Sequence, residues 1–333
     1  MPSTVRSRAP MQKALSIGVE YKELAERLPQ WHLPAAHKDP QIMSRLLQEQ
    51  YNYRPENITI LTDAKGSNRL PTRDNIIASM RELVRDAQFG DRLVFHFSGH
   101  GSQVKAPPEH VEEIDGWDEV IWPCDIKPDS DSEPVENYIM DDEIKQILVD
   151  PLPAGVRLAI LLDCCSSGTG ADLPFSYGTA SLLSPINPRE INFCRVQFAP
   201  SHRVARQRSK SIVGLDHDIA AFDQSPKRRF TFQSMDELPS CETDLSASPF
   251  VTSWAACLDN QGTLESSQGS VFLLALEGSL KQNSQPTNGQ MLNNITDWLH
   301  HNVPWRKLEQ QPPRPQLGSN RSISSIYHSS FEL

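Results

Sequence analysis

Two short segments of this 333-residue chain set reactive side chains in permissive backbone: Phe95-His96-Phe97-Ser98-Gly99-His100-Gly101 and Leu162-Asp163-Cys164-Cys165-Ser166-Ser167-Gly168-Thr169-Gly170. A cysteine facing a histidine is the arrangement for thiolate catalysis: the imidazole takes up the thiol proton and later protonates a leaving amine. Gly99 and Gly101 free the backbone around His100, so its ring can project into a crevice rather than into the core. Cys165 and His100 are therefore the candidate dyad. Spacing alone leaves other readings open. A buried cysteine is more often a small core hydrophobe, and a Cys/His pair 65 residues apart is a weak motif by itself. A zinc site from His96, His100, Cys164 and Cys165 is the weaker rival. The two imidazoles share no ligand loop with the thiols, and adjacent cysteines diverge at a strand end.

The elements that must position these groups follow from periodicity. Apolar runs at 14–20, 57–61, 92–97, 119–122, 156–162 and 250–257 read as strands. Amphipathic stretches at 40–50, 72–87, 141–148, 270–281 and 288–301 read as helices. The alternation predicts an α/β fold with a mostly parallel central sheet flanked by helices, and the nearly continuous apolar run 156–162 is its central strand. Both reactive segments follow strands, at the carboxyl ends where open α/β sheets place their crevices. Asp39 before Pro40 reads as a helix start, its carboxylate accepting first-turn N–H groups. Residues 1–12 read as a short tail and 13–333 as one domain, interrupted by a long flexible insertion at about 173–249 that carries Arg203, Arg206, Arg208, Lys210, Lys227, Arg228 and Arg229.

Composition narrows the function. The 38% hydrophobic content is sufficient for a real core. A net charge of −10, from 32 basic and 42 acidic residues, disfavours sequence-independent nucleic-acid binding and suits a cationic substrate or a metal ion. No apolar run reaches the ~18 residues a membrane helix needs. Six sparse cysteines, two of them adjacent, predict free thiols in a reducing, cytoplasmic setting, with the nucleus also open.

The histidine segment 95–101 and the segment 163–175 resemble the two catalytic boxes of type I metacaspases, caspase-fold cysteine peptidases. The similarity extends through 14–21, 71–76, 83–87, 115–119, 139–143 and 151–155 and resumes at 253–257 and 313–317. The resemblance implies Cys165 as nucleophile, His100 as general acid/base, and the backbone N–H groups of Gly101 and Cys165 as oxyanion donors. It implies a protein or peptide substrate cut after Arg or Lys, with the cation held by Asp163 and Asp39 beside Ser98. Trp254 is expected either to line the substrate cleft or to pack in the core. Asp118, Asp141, Asp142 and Asp172 fall where the family builds its activating calcium site, and a hard dication with six to eight oxygen ligands suits such a set. Without the resemblance, Asp141 and Asp142 are charges favoured in a helix's first turn and Asp118 solvates a loop. Cys164 is expected to be a packed thiol. A monomer is implied as well.

The chain departs from the family pattern in three places. Ser166 stands where a histidine usually follows the nucleophile, residues 128–138 are an insertion near the supposed calcium ligands, and only about a dozen residues precede the first strand. Prodomain-driven recruitment is accordingly not expected. The basic clusters at 203–210 and 227–229 invite two functional readings, autocleavage sites or a nucleic-acid patch, and the overall acidity favours a solvated flexible loop over the patch. The rival function is a catalytically silent caspase-fold scaffold in protein quality control.

Overall fold

The computed structural model describes residues 8–105, 117–128, 134–165, 173–178, 248–258, 261–305 and 312–333. In chain order the elements begin with β1 (Gln12–Gly18), α1 (Lys22–Ala25), α2 (Asp39–Tyr51), β2 (Ile58–Thr62), α3 (Arg73–Val84) and β3 (Arg92–Ser98). Next come β4 (Gly101–Lys105), β5 (Trp117–Ile121), β6 (Lys127–Pro128), β7 (Pro134–Glu136), β8 (Ile139–Met140) and α4 (Asp141–Leu148). Then follow β9 (Arg157–Asp163), β10 (Phe175–Gly178), β11 (Phe250–Ala255), β12 (Glu265–Ser266) and β13 (Gly269–Ser270). The chain ends with α5 (Val271–Gln282), α6 (Asn288–Asn302), β14 (Gln316–Ser319) and α7 (Ile323–Ile326).

Seven strands form the central sheet in the order β10-β14-β11-β9-β3-β1-β2. The pairs β1–β2, β1–β3, β3–β9 and β9–β11 are parallel, and β14 runs antiparallel to both β11 and β10. The expected α/β class and central strand are therefore observed. β9 is buried from Leu158 to Asp163, as a strand covered on both faces must be. On one face Phe95, Phe97, Ile160 and Leu162 pack against Ile76, Met80, Ile144 and Leu148 from α3 and α4. On the other, Val94, Leu161, Trp254 and Leu317 pack against Met43, Leu47, Leu273, Leu276 and Leu292 from α2, α5 and α6. Side-chain caps fix several helix starts: Thr72 accepts from the Asn75 N–H, Ser270 from those of Phe272 and Leu273, and Thr287 forms a capping box with Gln290.

Some elements differ from the sequence reading. β10 lies inside the stretch read as insertion, because Phe175–Gly178 finds a partner in β14. β14 itself was not legible, since Gln316–Ser319 has a single large apolar residue and owes its burial to neighbours on both sides. β4, β5 and β8 form a small antiparallel sheet beside the main one. Among the described residues no helix is long and apolar enough to cross a membrane. The basic clusters at 203–210 and 227–229 lie outside the described residues.

Candidate active site

Strand register brings the candidate pair together. β3 and β9 are parallel neighbours with Ser98 opposite Asp163, so the residues two positions further on, His100 and Cys165, leave adjacent strands at the same height. Neighbouring strands lie about 4.8 Å apart. Both side chains are buried, His100 at 4% exposure and Cys165 at 3%. The turn after β3 is pressed onto the one after β9. A Cβ at position 101 would lie 2.4 Å from the Cys165 carbonyl oxygen and 2.9 Å from Cys164 Sγ, so only glycine permits this approach. The Gly99 N–H donates to the Asp163 carbonyl at 3.4 Å.

The imidazole is oriented by its surroundings. His100 Nε2 lies 2.9 Å from the Trp31 carbonyl oxygen. A carbonyl only accepts, so this contact places the proton of the neutral ring on Nε2 and leaves Nδ1 basic. Tyr21 stacks at a tilt with its centroid 4.7 Å from the imidazole, and Trp31 meets it edge-on at 5.1 Å.

Beneath the dyad, on the α2 side of the sheet, lie Asp39, Ser98 and Asp163, all fully buried. Asp39 heads α2, yet its carboxylate turns to other elements: it accepts the Ser98 hydroxyl and, at 2.7 Å, the Ser270 N–H. The capping position belongs to Lys38, with no side-chain cap bond, so the helix-cap reading of Asp39 gives way to a tie between β3 and the β12–β13 hairpin. That hairpin supplies a group that no local sequence signal marks. Glu265 pairs with Ser270, is 1% exposed, and accepts the Ala35 N–H at 3.3 Å. An acidic residue next to a small polar turn reads as surface, and only the hairpin's fold over the start of α2 buries it. No lysine or arginine among the described residues is buried.

Trp254 belongs to the second core, not to a cleft wall. It sits opposite Leu161 and Leu317, 1% exposed, with its ring edge-on to Phe331 at 4.9 Å. Cys164 packs in the first core, as expected of it. Cys257 donates its thiol to the Cys164 carbonyl at 3.4 Å and the Gln261 carbonyl at 3.2 Å. The zinc reading fails. His96 points into the sheet interior with Nδ1 2.8 Å from Ser16 Oγ, and among the described residues no three His, Cys, Asp or Glu side chains could hold a metal ion.

The same finding holds for the described aspartates expected to bind calcium, Asp118, Asp141 and Asp142. Val120 pairs with Met140, so Asp118 and Glu119 before the one, and Asp141 and Asp142 after the other, leave the β5–β8 pair on the same side. Asp118 and Asp141 are buried, and Glu119 accepts from Gln103 Nε2 at 2.7 Å. Arg73 grips the first turn of α4 through Glu143, at 2.5 and 2.7 Å. Asp172 lies outside the described residues. Carboxylate oxygens are the hard donors calcium takes, but the described aspartates do not by themselves come together as a metal-holding group.

Residues 12–174 match the metacaspase, peptidase C14 domain family. Metacaspase-1 of Pyricularia oryzae is 31% identical over 329 residues, an alignment covering 94% of this chain and 73% of that protein. The chain belongs to the metacaspase family. Metacaspase-1 of Schizosaccharomyces pombe is 34% identical over 294 residues, covering 86% of this metacaspase but 64% of the relative, so the chain spans somewhat less than two thirds of that protein's length. A crystal structure of protein GSU0716 from Geobacter sulfurreducens superposes with a TM-score of 0.54 at 17% identity, over 97% of this chain and 100% of the other, and shares the fold. The caspase-like α/β architecture expected from the sequence is thus the one this metacaspase has.

Proposed function

We propose that this metacaspase is a cysteine endopeptidase that cleaves after arginine or lysine and is activated by calcium. The observation that carries the reading is the β3–β9 register, which brings Cys165 and His100 abreast above the buried carboxylates Asp163 and Asp39. His100 Nδ1 takes the Cys165 thiol proton, and the thiolate attacks the scissile carbonyl carbon. The tetrahedral oxyanion is met by the N–H groups of Gly101 and Cys165. Collapse breaks the C–N bond, His100 delivers its proton to the departing amine, and water activated by the same imidazole hydrolyses the thioester. A guanidinium or ammonium brought by the substrate suits Asp163 and Asp39, beside Ser98, because buried carboxylates select a cation by charge and paired hydrogen bonds.

Calcium, when bound by Asp118, Asp141, Asp142 and Asp172, would neutralise the mutual repulsion of those carboxylates. Protein segments rich in arginine are suitable substrates, including the chain's own clusters at 203–210 and 227–229. The test is hydrolysis of fluorogenic peptides ending in Arg or Asp, with calcium or chelator, by the wild type, Cys165→Ala and Asp39→Asn. Calcium-dependent cleavage after Arg is expected, lost in Cys165→Ala and weakened in Asp39→Asn mainly through KM. No cleavage by folded, calcium-treated protein would overturn the reading in favour of a silent scaffold.

A further inference from the structure

We propose that Tyr21 is a positioning residue for His100, its hydroxyl wedged into the β4–β5 ladder so as to set the height of the imidazole beside Cys165. This rests on the reading of His100 as the acid/base. Gly101 pairs with Ile121, so the next pair along the ladder is His100 with Trp122. One of its two bonds is ordinary: the Trp122 N–H donates to the His100 carbonyl at 3.1 Å. The return bond runs through Tyr21. Its Oη accepts the His100 N–H at 2.8 Å and donates to the Trp122 carbonyl at 2.5 Å. An antiparallel pair of this kind normally exchanges both bonds directly. A hydroxyl thus stands between the two strands at the residue that carries the imidazole.

Three further features maintain the wedge. Tyr21 adopts φ 56°, a left-handed conformation uncommon for an aromatic residue. The Asp63 carboxylate holds that turn by accepting the Glu20 N–H at 2.6 Å and the Tyr21 N–H at 2.7 Å. Position 99 must be glycine, since a Cβ there would lie 2.9 Å from Tyr21 Oη and 2.5 Å from the Phe97 ring. Strain maintained by specific contacts next to reacting groups points to a functional purpose.

Tyr21→Phe keeps the ring and removes the wedge. The variant is expected to fold, to lose about tenfold in kcat at nearly constant KM, and to show a direct bond from the His100 N–H to the Trp122 carbonyl in its crystal structure. The rate of Cys165 alkylation by iodoacetamide against pH reports on the thiol–imidazole pair, and its profile is expected to move in Tyr21→Phe, which a purely structural residue would not cause. Wild-type kcat together with a superimposable profile would overturn the proposal. His100→Ala is measured alongside. If that variant keeps wild-type activity and profile, the acid/base reading falls; if it is dead while Tyr21→Phe is unimpaired, only the wedge falls. Should Tyr21→Phe fail to fold, Asp63→Asn carries the test by loosening the same turn, with the same kcat-specific loss expected and an unchanged kcat refuting it.

Discussion

Gly101→Ala tests the contact between the turns that follow β3 and β9. The added methyl would sit 2.4 Å from the Cys165 carbonyl oxygen, where ordinary van der Waals contact begins at 3.4 Å. One turn must retreat by about 1 Å, a misplacement that in a thiol–imidazole site costs on the order of a hundredfold in rate. Cys164 Sγ, at 2.9 Å from the same methyl, blocks the alternative escape towards the first core. Overpacking of this kind destabilises by about 1–3 kcal/mol, so the variant is expected to fold with a lowered melting temperature. Asp39 and Asp163 lie on elements below the turn, and KM for an Arg-ended peptide should therefore change little. Steady-state kinetics with calcium, together with thermal melts of the same preparations, separate the two effects. A variant with wild-type kcat and an unchanged melt would refute the reasoning, because it would mean that the turns are not held against each other.

Three other outcomes follow from the packing. Burial alone would raise the Asp91 carboxyl, but the Arg8 guanidinium and the Met11 and Gln88 N–H groups outweigh it and hold the group below the usual carboxylate range. Asp91→Asn should therefore lower stability near neutral pH, with the gap from wild type shrinking as pH falls through about 4 and below, as measured by urea titrations across that range. Burial, reinforced by Asp63, Asp125 and Glu23, pushes the Cys124 thiol up to about 12. Mass spectrometry after iodoacetamide treatment at pH 8 should find Cys124 labelled far more slowly than an exposed thiol. Phe331, 3% exposed against Trp254, should cost about 3–5 kcal/mol when cut to alanine, and an unchanged unfolding midpoint would count against its place in the core.

The parallel core was legible because its strands are apolar on both faces, as Leu158–Leu162 shows, and the reactive pair was legible because glycines flank His100. What stayed hidden depends on partners distant in sequence. Asp39 occupies the same place whether it caps α2 or ties Ser98 to Ser270, and only contacts 59 and 231 residues away decide between the two. Trp254 could face either side of its strand until the pairing with Leu161 fixed it in the second core. Tyr21 carries no local signal at all, since its role comes from a carbonyl 101 residues along the chain. Glu265 is similar, buried by Ala35 from 230 residues away.

The order of the sheet also governs what happens if the chain is severed. β11 and β14 come from the C-terminal part of the sequence, yet they sit between β9 and β10, which come from the N-terminal part. A break anywhere between 179 and 247 would leave two polypeptides whose strands interdigitate like the fingers of clasped hands. Their separation would require tearing both the β9–β11 and the β10–β14 ladders, that is, unfolding the sheet. Denaturing electrophoresis would report two pieces where gel filtration reports one particle.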